Sequence, residues 1–229
     1  VTLGGPGAAP LAALLSGRDP LRGASVDLIE RKQALSGPGQ FPAAERGALE
    51  RVRTEAKRLA RLVRGTGENL KWAALTALAY PDRIGLRRAG EAPRWVLSGG
   101  KGAVMQANDP MAAAGLIVAA DLDGDAREAR IRLAIEISEA ELLALYGDQI
   151  VWREFCVWSR QKRRVRARRQ ECFGALVLSD QAWSNAPDTA LAHAALDGVR
   201  DLGLPWSEAA RRFCARVALV RTAHSDFPD

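Results

Sequence analysis

The densest chemistry in the sequence lies in six consecutive residues, Arg164-Val165-Arg166-Ala167-Arg168-Arg169. Side chains alternate along an extended chain, so Arg164, Arg166 and Arg168 fall on one face. Their separation, about 6.5–7 Å per two residues, is near the phosphate repeat of an extended single strand. Guanidinium groups supply planar, bidentate donors suited to phosphate. Arg163 heads the run, and Trp152 and Trp158 flank it. Stacking of bases on such rings contributes roughly 1–3 kcal/mol each where the rings are exposed. Burial in a core is the competing and slightly favoured reading of both tryptophans.

Charge is concentrated in the same place. Between Gln149 and Cys172 stand eight basic residues and two acids. The formal net charge of the 229-residue chain is +6, so this segment carries the whole surplus; elsewhere the two signs balance at 25 each. A localised positive field is the electrostatic footprint of a polyanion site. A solvated face and a dock for an acidic protein surface are the alternatives. Arginine dominates throughout, with lysine only at positions 32, 57, 71, 101 and 162.

Other chemistries find little support. Gly99-Gly100-Lys101-Gly102 suggests a phosphate loop, but Trp95 and Gly102 stand where a Walker A sequence needs Gly and Ser or Thr. It reads as a glycine-rich hairpin turn. Asp121-Leu122-Asp123-Gly124-Asp125 imitates a calcium loop, yet Ala126 and Arg132 replace the required Gly and Glu. His193 and His224 have no nucleophile nearby in sequence, and no catalytic residue is assigned. Cys156, Cys172 and Cys214 form no C-x-x-C pair, which argues against a disulfide framework and a zinc site and fits a reducing, cytoplasmic setting.

The elements that must position the arginines separate into three regions of an α+β chain. Residues 1–69 read as a helical bundle. Leu49, Val52, Ala56, Leu59, Leu62 and Val63 recur at helical spacing between Pro42 and Arg64, with Pro42 in the first turn and Gly65 as the stop. Pro38-Gly39 marks the preceding loop, Val26–Leu35 a shorter helix and Glu68–Ala79 another. Thr2–Leu15 is apolar but lacks the basic flank of a signal peptide, and reads as folded protein.

Residues 70–137 switch to a period of two. Arg83–Arg88, Arg94–Leu97, Ala103–Gln106, Leu116–Asp121 and the alternating Arg130–Ile137 make five short strands without a long intervening helix, as in a small OB-like β-barrel. Residues 138–229 form a small α+β domain. Ser138 and Glu141 make a capping box ahead of a helix ending at Gly147. Val151–Trp158 and Arg164–Phe173 follow as strands around a basic turn at Ser159–Arg163, with a third strand at Ala175–Ser179. Helices at Asp188–Leu202 and Ser207–Thr222 complete it, over a core expected to use Trp152 or Trp158, Leu176, Leu178 and Trp206. No stretch approaches the ~20 apolar residues of a membrane span.

Several of these segments, in order, resemble one family. Tyr80-Pro81-Asp82-Arg83-Ile84, Leu97-Ser98-Gly99-Gly100-Lys101-Gly102-Ala103, Val118-Ala119-Ala120-Asp121-Leu122-Asp123-Gly124 and Ala129–Ala134 are similar to the OB-like region of HrpB-type bacterial DEAH-box ATP-dependent RNA helicases. Gly147–Glu154, Val165–Arg169, Gly174–Ser179 and Leu204–Ser207 resemble the family's C-terminal domain. The match runs from about Leu70 to Arg221, and the helical region before it has the character of the bundle that follows the motor.

The resemblance implies an accessory part of a helicase that binds or guides single-stranded RNA, or DNA, for RecA-like motor lobes in cis. ATP and Mg are implied for the full-length helicase and no cofactor for this chain, which has neither a Walker A sequence nor a DEAH box and is expected to be inactive as a hydrolase alone. Val1 in place of an initiator Met points to a fragment or truncated product. Arg83, Arg87, Arg94 and Lys101 from the barrel, continued by Arg163, Arg164, Arg166, Arg168 and Arg169, are the expected phosphate contacts. A stand-alone RNA- or DNA-binding module and a protein-docking platform are the two alternatives.

Overall fold

A computed structural model describes residues 5–21, 23–37, 41–42, 44–63, 70–125, 128–204 and 206–224. The chain divides into two compact units, residues 1–152 with 171–179, and residues 153–170 with 180–229.

The first unit opens with helices α1 (Ala9–Ser16), α2 (Leu28–Ser36), α3 (Arg46–Leu62) and α4 (Trp72–Ala79). α2 starts where the Asp27 carboxylate accepts a bond from the Ile29 N–H at 2.8 Å, satisfying a donor that has no partner within the helix. α3 begins at Arg46 behind Glu45, so Pro42 lies in a turn ahead of it rather than in its first turn. The expected loop at Pro38-Gly39, the stop at Gly65 and the start at Glu68 lie outside the described residues. α4 is buried almost all round because its sequence, WAALTALA, has no polar face to turn to water.

The barrel strands are β1 (Ile84–Arg87), β2 (Arg94–Leu97), β3 (Gly102–Val104), β4 (Leu116–Leu122) and β5 (Glu128–Glu136). They close in the order β1-β2-β3-β5-β4, antiparallel except for a parallel β3–β5 pair. The expected small five-stranded barrel is therefore present, as a closed one. Trp95 fills its interior, wholly buried among Leu97, Ala103, Ile117, Ile131 and Ala134, with its indole N–H donating to the Ala114 carbonyl at 3.1 Å. That bond matters, since a buried indole donor left unpaired costs about 1–3 kcal/mol. The opposite faces of β4 and β5, Leu116, Val118, Leu133 and Ile135, pack against α2 and α4. Being buried on both sides explains why β4 reads as a nearly continuous apolar run.

α5 (Glu139–Tyr146) begins with the expected capping box. The Ser138 hydroxyl accepts from the Glu141 N–H at 3.2 Å, while the Glu141 carboxylate accepts from the Ser138 N–H at 3.1 Å. Tyr146 closes the helix against the core, its hydroxyl donating to the Ala77 carbonyl at 2.9 Å and its ring 5.0 Å from that of Phe173.

A second, three-stranded sheet has the order β6-β7-β8, from β6 (Val151–Ser159), β7 (Arg164–Phe173) and β8 (Leu176–Ala182). β8 starts one residue later than the sequence suggests and runs three further. α6 (Asp188–Leu202) and α7 (Glu208–Ala223) follow. The α+β class expected from the sequence is the class observed. Its C-terminal core is the expected one in part: Leu176 is buried and Leu178 half-buried, joined by Cys172 and Phe173, whereas Trp152 is 41% and Trp206 48% exposed. No helix is long and apolar enough to cross a membrane among the described residues.

Candidate nucleic-acid interface

The arginine ridge is built by one hairpin. β6 and β7 are joined by a four-residue turn over residues 160–163, closed by Arg163 at φ 47°, a left-handed conformation that non-glycine residues adopt uncommonly. Arg169 meets Glu154 across the strands at 3.4 Å, which fixes the phase of the pairing. Even-numbered β6 residues therefore share a face with odd-numbered β7 residues. The other face carries Arg153, Phe155 and Val157 of β6 beside Arg164, Arg166 and Arg168 of β7.

α6 covers the first of these faces. The Trp158 ring lies so close to Gly198 that a Cβ there would stand 2.6 Å from its Cε3. The indole N–H donates to the Asp201 carboxylate at 3.1 Å, and Arg160 pairs with the same carboxylate at 2.8 Å. Trp158 is thus a packing residue. Trp152, though exposed, lies on the Trp158 side of β6, opposite the arginines. The aromatic residue that shares their face is Phe155, half-buried, beside the exposed Val157. Sequence reading passed over Phe155 and Arg153 because the phase between two strands is set by the length of their turn and is not visible in either strand alone.

The arginines are not equivalent. Arg168 is held by Asp180, its Nε donating to the carboxylate at 2.8 Å and its Nη2 to the backbone carbonyl at 2.9 Å. This contact raises the Arg168 pKa above its ordinary value. It is also the main cause holding the Asp180 carboxyl below its usual range, with Gln170 and the charge of Arg166 assisting. Arg169 faces Glu154. Among the described residues no ion pair engages Arg153, Lys162, Arg163, Arg164 or Arg166. Those five cations are the part of the ridge ready to meet an anion.

The barrel residues divide likewise. Arg83 lies 4.8 Å from the Tyr80 ring centroid and donates to the Ala120 carbonyl at 3.2 Å. Arg87 spends its guanidinium on the carbonyls of Ala112, Gly90 and Glu91, which makes it a brace for the β1–β2 loop. Arg94 pairs with Glu128 at 3.4 Å but keeps 54% of its side chain exposed. Lys101 lies half-buried in the β2–β3 turn. These four belong to the first unit, whereas residues 163–169 belong to the second.

The glycine-rich turn that imitates a phosphate loop has another task. The Ala175 N–H donates to the Ser98 carbonyl at 2.9 Å. Gly174, at φ 56°, passes so close that a Cβ would lie 2.5 Å from that oxygen. The Ser98–Lys101 turn is the seat of the β7–β8 turn.

Fold and charge together define an α+β module, in which a helical layer and a closed barrel continue into a sheet with one arginine-bearing face. Residues 149–183, which include the whole of that sheet, match the family described as ATP-dependent RNA helicase HrpB, connector region. The ATP-dependent RNA helicase HrpB of Escherichia coli (strain K12) is 30% identical over 158 residues, covering 67% of this chain and 19% of that protein. The crystal structure of the E. coli DExH-box NTPase HrpB superposes with a TM-score of 0.59 at 28% identity, over 98% of this chain and 27% of that one. A crystal structure of the Escherichia coli DEAH/RHA helicase HrpB, at 24% identity and a TM-score of 0.56, shares the fold over 97% of this chain and 27% of its own. The chain therefore carries an HrpB connector region and corresponds to part of an HrpB-type helicase. It spans about a fifth of the length of the curated relative.

Proposed function

We propose that this chain is the accessory part of an ATP-dependent RNA helicase, guiding single-stranded RNA over the arginine face of the connector sheet toward motor lobes carried in cis. Arg153, Lys162, Arg163, Arg164 and Arg166 neutralise successive phosphates, and Phe155 offers an apolar rest for a base. Arg168 extends the track on the same face, Arg169 lies on the opposite one beside Glu154, and Arg83, Arg94 and Lys101 are a separate contribution of the barrel. In this reading the whole protein works in the cytoplasm and hydrolyses ATP with Mg at residues outside this sequence. The helical (1–69), barrel (70–137) and C-terminal (138–229) regions serve as its functional parts.

The observation that carries the reading is the set of five cations on the hairpin for which no ion pair is found among the described residues, all inside the connector match. Outside this segment basic and acidic residues balance at 25 each, so the surplus is peculiar to the hairpin. The test is fluorescence anisotropy of a labelled single-stranded RNA, comparing the wild type with Arg164→Ala/Arg166→Ala and with Arg160→Ala. The double variant is expected to weaken binding at least tenfold and the Arg160 variant less than twofold, because Arg160 is committed to Asp201. Equal binding by all three proteins would transfer the ridge to protein contacts.

A further inference from the structure

Lysine is scarce in this chain: 28 of its 33 basic residues are arginine. Three of the five lysines nevertheless line one cavity in the helical part of the first unit. Lys32 comes from α2, Lys57 from α3 and Lys71 from the residue that caps α4. Arg53 joins them, its guanidinium donating twice to the Leu35 carbonyl, at 3.2 and 2.9 Å, and pairing with Glu50 at 3.3 Å. Pro10, Leu35, Ala56, Leu70 and the edge of the buried Trp72 supply an apolar wall. The cavity has a volume of about 730 Å³, within the usual range for small-ligand sites.

No carboxylate lines this cavity among the described residues. Lys71 is partly compensated by Glu141 at 3.5 Å, and Lys32 lies 5.4 Å from the centroid of the Trp72 ring. Lys32 and Lys57 have no acidic partner within ion-pair distance among the described residues. Three elements distant in sequence thus set ammonium groups around one apolar trough, a concentration of positive charge that favours an anion there. Ammonium groups are compact point charges with rotatable donors, which suits the tetrahedral oxygens of a phosphate.

We propose that this cavity binds a phosphate monoester carried on a flat, weakly polar body, a mononucleotide, either free or as the terminal nucleotide of a strand. Lys32 and Lys57 hold the phosphate and Lys71 neutralises it from the side. The ring lies along Leu35, Ala56 and Leu70. No residue is shared with the arginine face, so the two sites are separable by mutation.

The test is calorimetric titration of the full chain with adenosine 5′-monophosphate, adenosine and inorganic phosphate, for the wild type, Lys32→Ala/Lys57→Ala and Arg164→Ala/Arg166→Ala. The monophosphate is expected to bind at least tenfold more tightly than adenosine. The lysine variant is expected to lose at least tenfold and the arginine variant less than twofold. Both lysines are exposed, so unchanged thermal unfolding of their variant will show that the loss is local. A 5′-phosphorylated RNA oligomer that competes more strongly than the free monophosphate would identify a strand end as the occupant; weaker competition would identify the free nucleotide. No heat with the monophosphate at millimolar concentration, equal binding by the lysine variant, or equal loss in the arginine variant would each overturn the proposal. Loss of the nucleotide site with RNA binding intact would leave the proposed strand-guiding role standing.

Discussion

Asp180 decides how many arginines the connector sheet presents. Its carboxylate takes up Arg168, and its depressed pKa, caused first by that guanidinium and then by Gln170 and Arg166, keeps it ionised well into the acid range. Asp180→Asn removes this competitor and frees Arg168 to join Arg164 and Arg166. The variant is expected to bind single-stranded RNA more tightly, and to steepen the salt dependence by about 0.7 in the log–log slope for the one phosphate gained. Weaker binding would mean that Asp180 orients Arg168 for its ligand instead of withholding it. The shared face of Arg164, Arg166 and Arg168 is legible in the sequence, because side chains alternate along an extended strand. The engagement of Arg168, and the removal of Arg87 to a loop brace, are not. The Arg168–Asp180 and Arg87–Ala112 contacts span 12 and 25 residues and carry no local signature.

Element boundaries follow local physics closely where a cap or a period defines them. β7 and α6 occupy the expected residues, and α5 starts at the capping box. α3 starts four residues after Pro42, behind Glu45, whose side chain makes no cap bond and pairs with Arg51 instead. Trp152 and Trp206 were misplaced because tryptophan burial is decided by what packs against it, and pattern alone does not reveal the partner. The α5 cap offers a direct test at this scale. The Glu141 carboxyl is held below its ordinary value, first by the Ser138 backbone N–H and also by the Ser138 hydroxyl and Lys71. A depressed carboxylate pKa stabilises the fold above the unfolded value near about 4.3, and that contribution is lost as pH falls through the folded value. Ser138→Ala is expected to lower stability by about 1 kcal/mol at neutral pH. Glu141→Gln is expected to flatten the fall in stability between roughly pH 5 and pH 3. Thermal melts across that interval measure both, and an unchanged pH profile in the Gln variant would rule out Glu141 as a source of acid sensitivity.

Across the whole molecule, charge and fold divide the labour. Most of the sequence is electrically balanced and builds a barrel packed against helices, while one hairpin carries the surplus positive charge. The family match falls on that hairpin and its third strand. The stretch that matches the HrpB connector region is thus a scaffold holding a cationic face, and we propose that the chemistry of ATP falls to residues outside this sequence. The most direct measurement is the affinity of the chain for a labelled single-stranded RNA as a function of salt. With five phosphates neutralised by Arg153, Lys162, Arg163, Arg164 and Arg166, the log of affinity is expected to fall against the log of salt concentration with a slope near about −3.5. A slope near zero would contradict the phosphate track.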